Sequence, residues 1–341
     1  MRFRRHARST AALVMIAGTL FGPSPSAAHA DAAPPPAGDS CVVTYGSTGR
    51  TTVIGVGYEI PYPNLAGGPY VETEINAIPK SRAFASNAHE GFVGEVLLGT
   101  SGFYPENPTQ AAAFWPAVEG ETSTAEKDHG PLAHSFAAAD EGPKAMAWAA
   151  SGGSRLSPDL SIGQSRSSSQ VAFDGKVVNG LDEAWGYDLR IGAASIASLH
   201  SVVEYTTDGT GAGTKATWSL EFLGVRSAKD ELAGASGQGF SFQGGESHPG
   251  DAQRQAFNST ARAFADALET AGAGRLEVSI DPGSVNVKAG SLDVHGSGLV
   301  VRLAPKKTQG TTLTAASVIF GHQDRQANVE LGACPTTAGG Q

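Results

Sequence analysis

Two Asp-Gly pairs, Asp174-Gly175 and Asp208-Gly209, stand 34 residues apart, and apolar-polar alternation flanks each of them. Glycine tolerates positive φ and aspartate visits it, so such pairs favour the tight turns that join antiparallel strands. In the first copy residues 167–173 run into the turn and residues 185–191 return. In the second, residues 201–207 run in and residues 218–222 return. Strict alternation puts Trp185, Tyr187, Leu189 and Ile191 on one face, with Trp218, Leu220 and Phe222 on the matching face, which is the period of a half-buried strand. Tandem hairpins are the expectation.

Further strands are predicted at 71–77, 276–280, 299–303, 313–320 and 327–331, and Asp281-Pro282-Gly283 reads as a tight turn. One segment departs from this pattern. Residues 251–271 contain no Gly or Pro, and Phe257, Ala261, Phe264, Leu268 and Ala271 repeat at helical spacing. Asp251 is the expected cap and Gly272 the expected stop. A lone helix of this length is marginal in water, so its apolar stripe is expected to pack on the sheet. The Pro-, Gly- and Ala-rich segment 101–153 reads as a long loop excursion with a short helix near 109–114. The fold class predicted is α+β, dominated by β: a curved antiparallel sheet of tandem hairpins packed against one long amphipathic helix.

The ends of the chain speak to its destination. Arg2, Arg4, Arg5 and Arg8 precede an apolar run from Ala11 to Phe21, Pro23 and Pro25 break it, and Ala28-His29-Ala30 offers small residues for cleavage after Ala30. This is the layout of a secretory signal, so residues 1–30 are expected to be removed. Residues 31–40 form a Pro- and Ala-rich disordered lead-in, 41–335 a single β-rich domain, and 336–341 a disordered tail. Nothing beyond residue 30 is long and apolar enough to span a membrane. The mature protein is therefore expected to be secreted. Its two cysteines, Cys41 and Cys334, are expected to form one disulfide in an oxidising compartment.

Removing the signal takes away four of the 24 basic residues and none of the 33 acidic ones, leaving a net charge of −13. A surface this acidic argues against nucleic acid, whose phosphates must be met by several Lys or Arg side chains. No Gly-x-Ser-x-Gly elbow and no His-Glu-x-x-His motif occur among the residues. No catalytic residue, metal ligand or cofactor is assigned, although a triad assembled across loops needs no local motif. The aromatic stripe of Trp185, Tyr187, Trp218 and Phe222, with Phe257 and Phe264 of the helix, has two readings. It is core packing beneath the helix, or it lines an apolar pocket between sheet and helix that holds a lipid or another hydrophobe.

Three strings carry a resemblance: Phe103-Tyr104-Pro105; Leu189-Arg190-Ile191-Gly192 leading to Ser201 and Asp208-Gly209; and the helix followed by an apolar strand near Leu276. On these the chain resembles a loosely defined group of exported, uncharacterised β-rich proteins of high-GC Gram-positive bacteria. The resemblance implies a recurring strand-and-turn unit and transfers no activity. The functional expectation is an exported, non-enzymatic protein that binds a hydrophobic small molecule or a cell-envelope component. A structural or adhesive surface module and a secreted hydrolase are the alternatives.

Overall fold

The computed structural model describes residues 40–58, 64–78, 80–87, 110–130, 133–227, 239–245, 250–273, 276–303 and 316–334. Segments 1–30, 31–39 and 336–341, and Phe103-Tyr104-Pro105, lie outside the described residues. Among the described residues every strand pairing is antiparallel, and the strands form two sheets of ten.

The first sheet is built on two long partners, β1 (Ser40–Tyr58) and β20 (Ala316–Ala333), which pair from Ser40↔Ala333 to Tyr58↔Ala316. On one side of β1 follow β3 (Tyr70–Asn76), β4 (Lys80–Ser86) and β5 (Gln110–Trp115). On the far side of β20 lie β19 (Gly298–Leu303) and β16 (Glu277–Asp281). The hairpin of β17 (Ser284–Lys288) and β18 (Ser291–His295) also joins β20, and β2 (Asn64–Gly67) joins β1. A disulfide between Cys41 and Cys334 closes the end of the β1–β20 ladder, with Cα atoms 4.8 Å apart.

The second sheet holds the Asp-Gly hairpins. Strands β11 (Gln164–Phe173) and β12 (Val178–Ile191) pair outward from Phe173↔Val178 around Asp174-Gly175. Strands β13 (Ala194–Thr207) and β14 (Lys215–Ser227) pair outward from Thr206↔Lys215 beyond Asp208-Gly209. Asp174 Oδ1 accepts the backbone N–H groups of Lys176 and Val177, and Gly175 takes φ 95°, so each residue of the first pair does the work its chemistry suits it for. The order continues through β8 (Lys144–Ser151), β7 (Ala133–Asp140) and β6 (Thr124–Asp128) on one side, and β15 (Phe240–Gly244) on the other. The short strand β10 (Leu160–Ile162) pairs with β12, and β9 (Ser154–Ser157) pairs with β10.

Two expectations need correction. The segment 101–153 is not a loop excursion: from residue 110 onward it supplies β5, β6, β7 and β8, and the helix expected near 109–114 is a strand. Alanine disguised these strands, because its strand propensity is low. Ala111 and Ala113, Ala137 and Ala139, and Ala145, Ala147 and Ala149 nevertheless alternate, and all are fully buried. The alanines of β7 and β8 face β4 and β5 of the opposite sheet, where Ala83 and Ala85 pair with Ala113 and Ala111, and small side chains on both sides let the two sheets approach. The second correction concerns the cover of the hairpin sheet, which is mainly the first sheet rather than the helix.

The helix α1 (Asp251–Ala271) touches β13, β14 and β15 of one sheet and β16 of the other, bridging two terminal strands. Gly250 rather than Asp251 occupies the N-cap, with Asp251 in the first turn. Gly272 ends it at φ 92°, donating to Glu269 O, as its freedom at positive φ allows. Phe264, Leu268 and Ala271 are buried, each of the first two contributing about 1.5–3 kcal/mol through burial.

Candidate functional site

The six aromatic residues singled out by alternation do not share one face. In β12 the inward positions are Gly180, Asp182, Ala184 and Gly186, so Trp185 and Tyr187 point outward. Leu189 and Ile191 then point inward, because Asp188 adopts φ 53° and resets the alternation. Gly224, at φ 69°, makes the same reset in β14. Counting by twos through Asp188 therefore gave the wrong side for the two residues before it.

On the outer face Trp185 stacks on His200 with centroids 5.0 Å apart and planes 9° from parallel. The Arg166 guanidinium lies 5.4 Å from the Trp185 ring and 5.3 Å from that of Trp148, which in turn meets Phe136 and His134. This is a row of rings and one cation running across neighbouring strands. Tyr187 stands beyond it, 43% exposed.

The other four residues gather beneath the helix. Phe222 and Phe264 stack at 4.4 Å and are essentially unexposed, so they belong to the core. Trp218 and Phe257 meet edge to face at 6.2 Å and line a cavity of about 290 Å³ between β14, β15, α1 and the β16–β17 link. Two glycine backbones press on the Trp218 indole: a Cβ at Gly283 would stand 2.4 Å from it and one at Gly244 2.6 Å. Pro282 and Gly283 of the Asp281-Pro282-Gly283 string thus become a wall of the cavity. Val285 and Pro282 add apolar lining, while Gln243, Gln253 and Asn258 bring amide groups.

A polar belt, not foreseen from the sequence, crosses the interior between the sheets. Arg325 and Asp182 are both fully buried; Arg325 Nε donates to Asp182 Oδ2 at 2.8 Å and Nη2 to Oδ1. Nη2 also donates to Ser169 Oγ at 2.7 Å and Thr73 Oγ1 at 3.1 Å. Burial alone would push the guanidinium pKa down, but Asp182 more than offsets it and the net direction is up. Gln323 Nε2 donates across the gap to the Asp182 and Ser201 carbonyls, and Ser47 pairs with Tyr205 Oη at 2.6 Å. Burial raises the Tyr205 phenol above its ordinary pKa. Gly49 leaves room for the guanidinium, since a Cβ there would stand 1.9 Å from Arg325 Cζ. Alternation counted through Asp188 places Asp182 on the polar face, so the sequence carried no signal for this belt.

Among the described residues one group has the composition to hold a metal: His295, His322 and Asp324, on the outer face of the first sheet. His295 Nδ1 lies 2.7 Å from Asp324 Oδ1, and its Nε2 lies 2.9 Å from Asp281 Oδ2. His322 Nε2 lies 2.9 Å from Asp324 Oδ2. Hydrogen bonds to Asp281 and then Asp324 outweigh burial and raise His295 to about 10. Burial opposes ionisation of Asp324, yet the bonds from His295 and His322 hold its carboxyl below the usual range. The His322-x-Asp324 spacing, two residues apart on a strand, was the readable trace of this cluster. Comparison with protein-family models, with curated proteins and with solved structures finds no match.

Proposed function

We propose that this chain is an exported, non-enzymatic binding protein whose cavity beneath the helix takes a compact hydrophobic group, either a small molecule or part of a cell-envelope component. The observation that carries the reading is the Trp218–Phe257 cavity, one wall of which is a nearly buried indole seated on two glycine backbones. Its size sets the ligand class. A cavity of 150 Å³ accommodates benzene, so about 290 Å³ suits a bicyclic ring or a short acyl segment rather than a whole lipid. Apolar walls supply affinity, and the amides of Gln243, Gln253 and Asn258 give a polar substituent something to bond. The disulfide is compatible with an extracellular destination. Among the described residues no helix is long and apolar enough to cross a membrane.

A naphthalene-based fluorescent probe tests this reading. Phe257→Ala is expected to weaken its binding about tenfold or more, a loss of about 1.4 kcal/mol, while Trp185→Ala changes it by less than about twofold. Equal affinity in the Phe257→Ala protein would sink the proposal. The ring-and-cation row around Trp185 and Arg166 favours the second reading, a structural or adhesive module acting through the outer face. In that case Trp185→Ala, and not Phe257→Ala, releases the protein from the cell wall of its host.

A further inference from the structure

We propose that the outer face of the first sheet carries a binding site for a divalent transition-metal ion of the zinc class, formed by one ring nitrogen each of His295 and His322 and a carboxylate oxygen of Asp324. Sheet geometry alone brings the three together. His322 and Asp324 are two residues apart on β20 and so share a face, and His295 of β18 stands directly across from Asp324 in the antiparallel register. The three donor atoms already lie within 4.8 Å of one another. Donors on a tetrahedral zinc with bonds of about 2.0–2.1 Å stand about 3.4 Å apart, so rotamer adjustments of the order of an ångström close the site.

A separate contact points the same way. His295 turns Nδ1 toward Asp324 and has its other nitrogen held by Asp281 Oδ2 at 2.9 Å. A carboxylate on the far nitrogen of a ligating imidazole fixes both ring orientation and tautomer, the arrangement that surrounds most histidine-bound metals. Two imidazoles and a carboxylate without thiolate favour zinc, nickel or cobalt over calcium, which prefers oxygen, and over copper(I), which prefers sulfur. Asp324 is half exposed, and the recess of about 640 Å³ beside it is lined by His295, Asp324, Asp293 and Arg50, so water has access to the remaining coordination position.

Zinc titrated calorimetrically into metal-stripped full-length protein near neutral pH gives the test, with cobalt absorption reporting the coordination geometry. Saturable binding of one ion per chain with tetrahedral cobalt bands is expected. His322→Gln and His295→Gln should each weaken it about 100-fold or more, and Asp281→Asn, which leaves the ligands in place, about 10–100-fold. Asp324→Asn, of nearly the same shape, provides a second ligand variant whose folding is checked by near-ultraviolet circular dichroism. Absence of saturable binding, or equally tight binding in the folded His322→Gln or Asp324→Asn proteins, overturns the proposal.

Discussion

Arg325→Met is expected to lower the free energy of unfolding by about 3–5 kcal/mol, because it leaves a fully buried aspartate without its cation. Asp182 is unexposed, and its two carboxylate oxygens face the Arg325 Nε and Nη2 groups. The loss spreads beyond the pair. Ser169 and Thr73 lose the Nη2 donor they share, and the Tyr205 ring loses a cation centred 5.5 Å from it. Asp182→Leu alone should cost a similar amount, since an unpaired guanidinium then remains in the same place. The double variant should recover most of the loss, because well-packed apolar groups replace a buried ion pair at little net cost. Denaturant unfolding of the four proteins measures this as a double-mutant cycle. A single-variant loss below about 1 kcal/mol would mean that water reaches the belt.

Replacing both cysteines, Cys41→Ala with Cys334→Ala, is expected to cost about 2–5 kcal/mol. The bond joins residues 293 apart, and in the chain-entropy account a loop that long restricts the unfolded ensemble by about 6 kcal/mol. Its partners sit at the ends of β1 and β20, which pair with each other over most of their length and each have a further strand on the other side. The folded ladder therefore needs no bond to align it, and the effect resides mainly in the unfolded chain. Reductant should bring the wild-type unfolding midpoint down to that of the double variant and leave the variant unmoved. An unchanged wild-type midpoint would contradict this.

What the sequence made legible follows physical lines. The Asp-Gly turns could be read because local chemistry decides them, and the helix because its apolar residues keep one period for about four turns. The Ala-rich strands were hidden because their burial depends on an opposing sheet that no local window contains. The faces of Trp185 and Tyr187 were misjudged because one residue, Asp188, departs from extended geometry. Of the candidate cavity, Trp218 and Phe257 were visible as apolar positions, whereas Gly244 and Gly283 acquire their role only when distant segments meet on the indole. The His295–Asp324 contact depends on the register between two strands and was likewise out of reach.

The indole N–H signals of the four tryptophans separate the two faces of the hairpin sheet in one experiment. Adding the naphthalene-based probe to ¹⁵N-labelled protein should shift the Trp218 resonance and leave that of Trp185 in place. Movement of Trp185 with Trp218 unchanged would place the ligand on the outer face and contradict the cavity as the binding site.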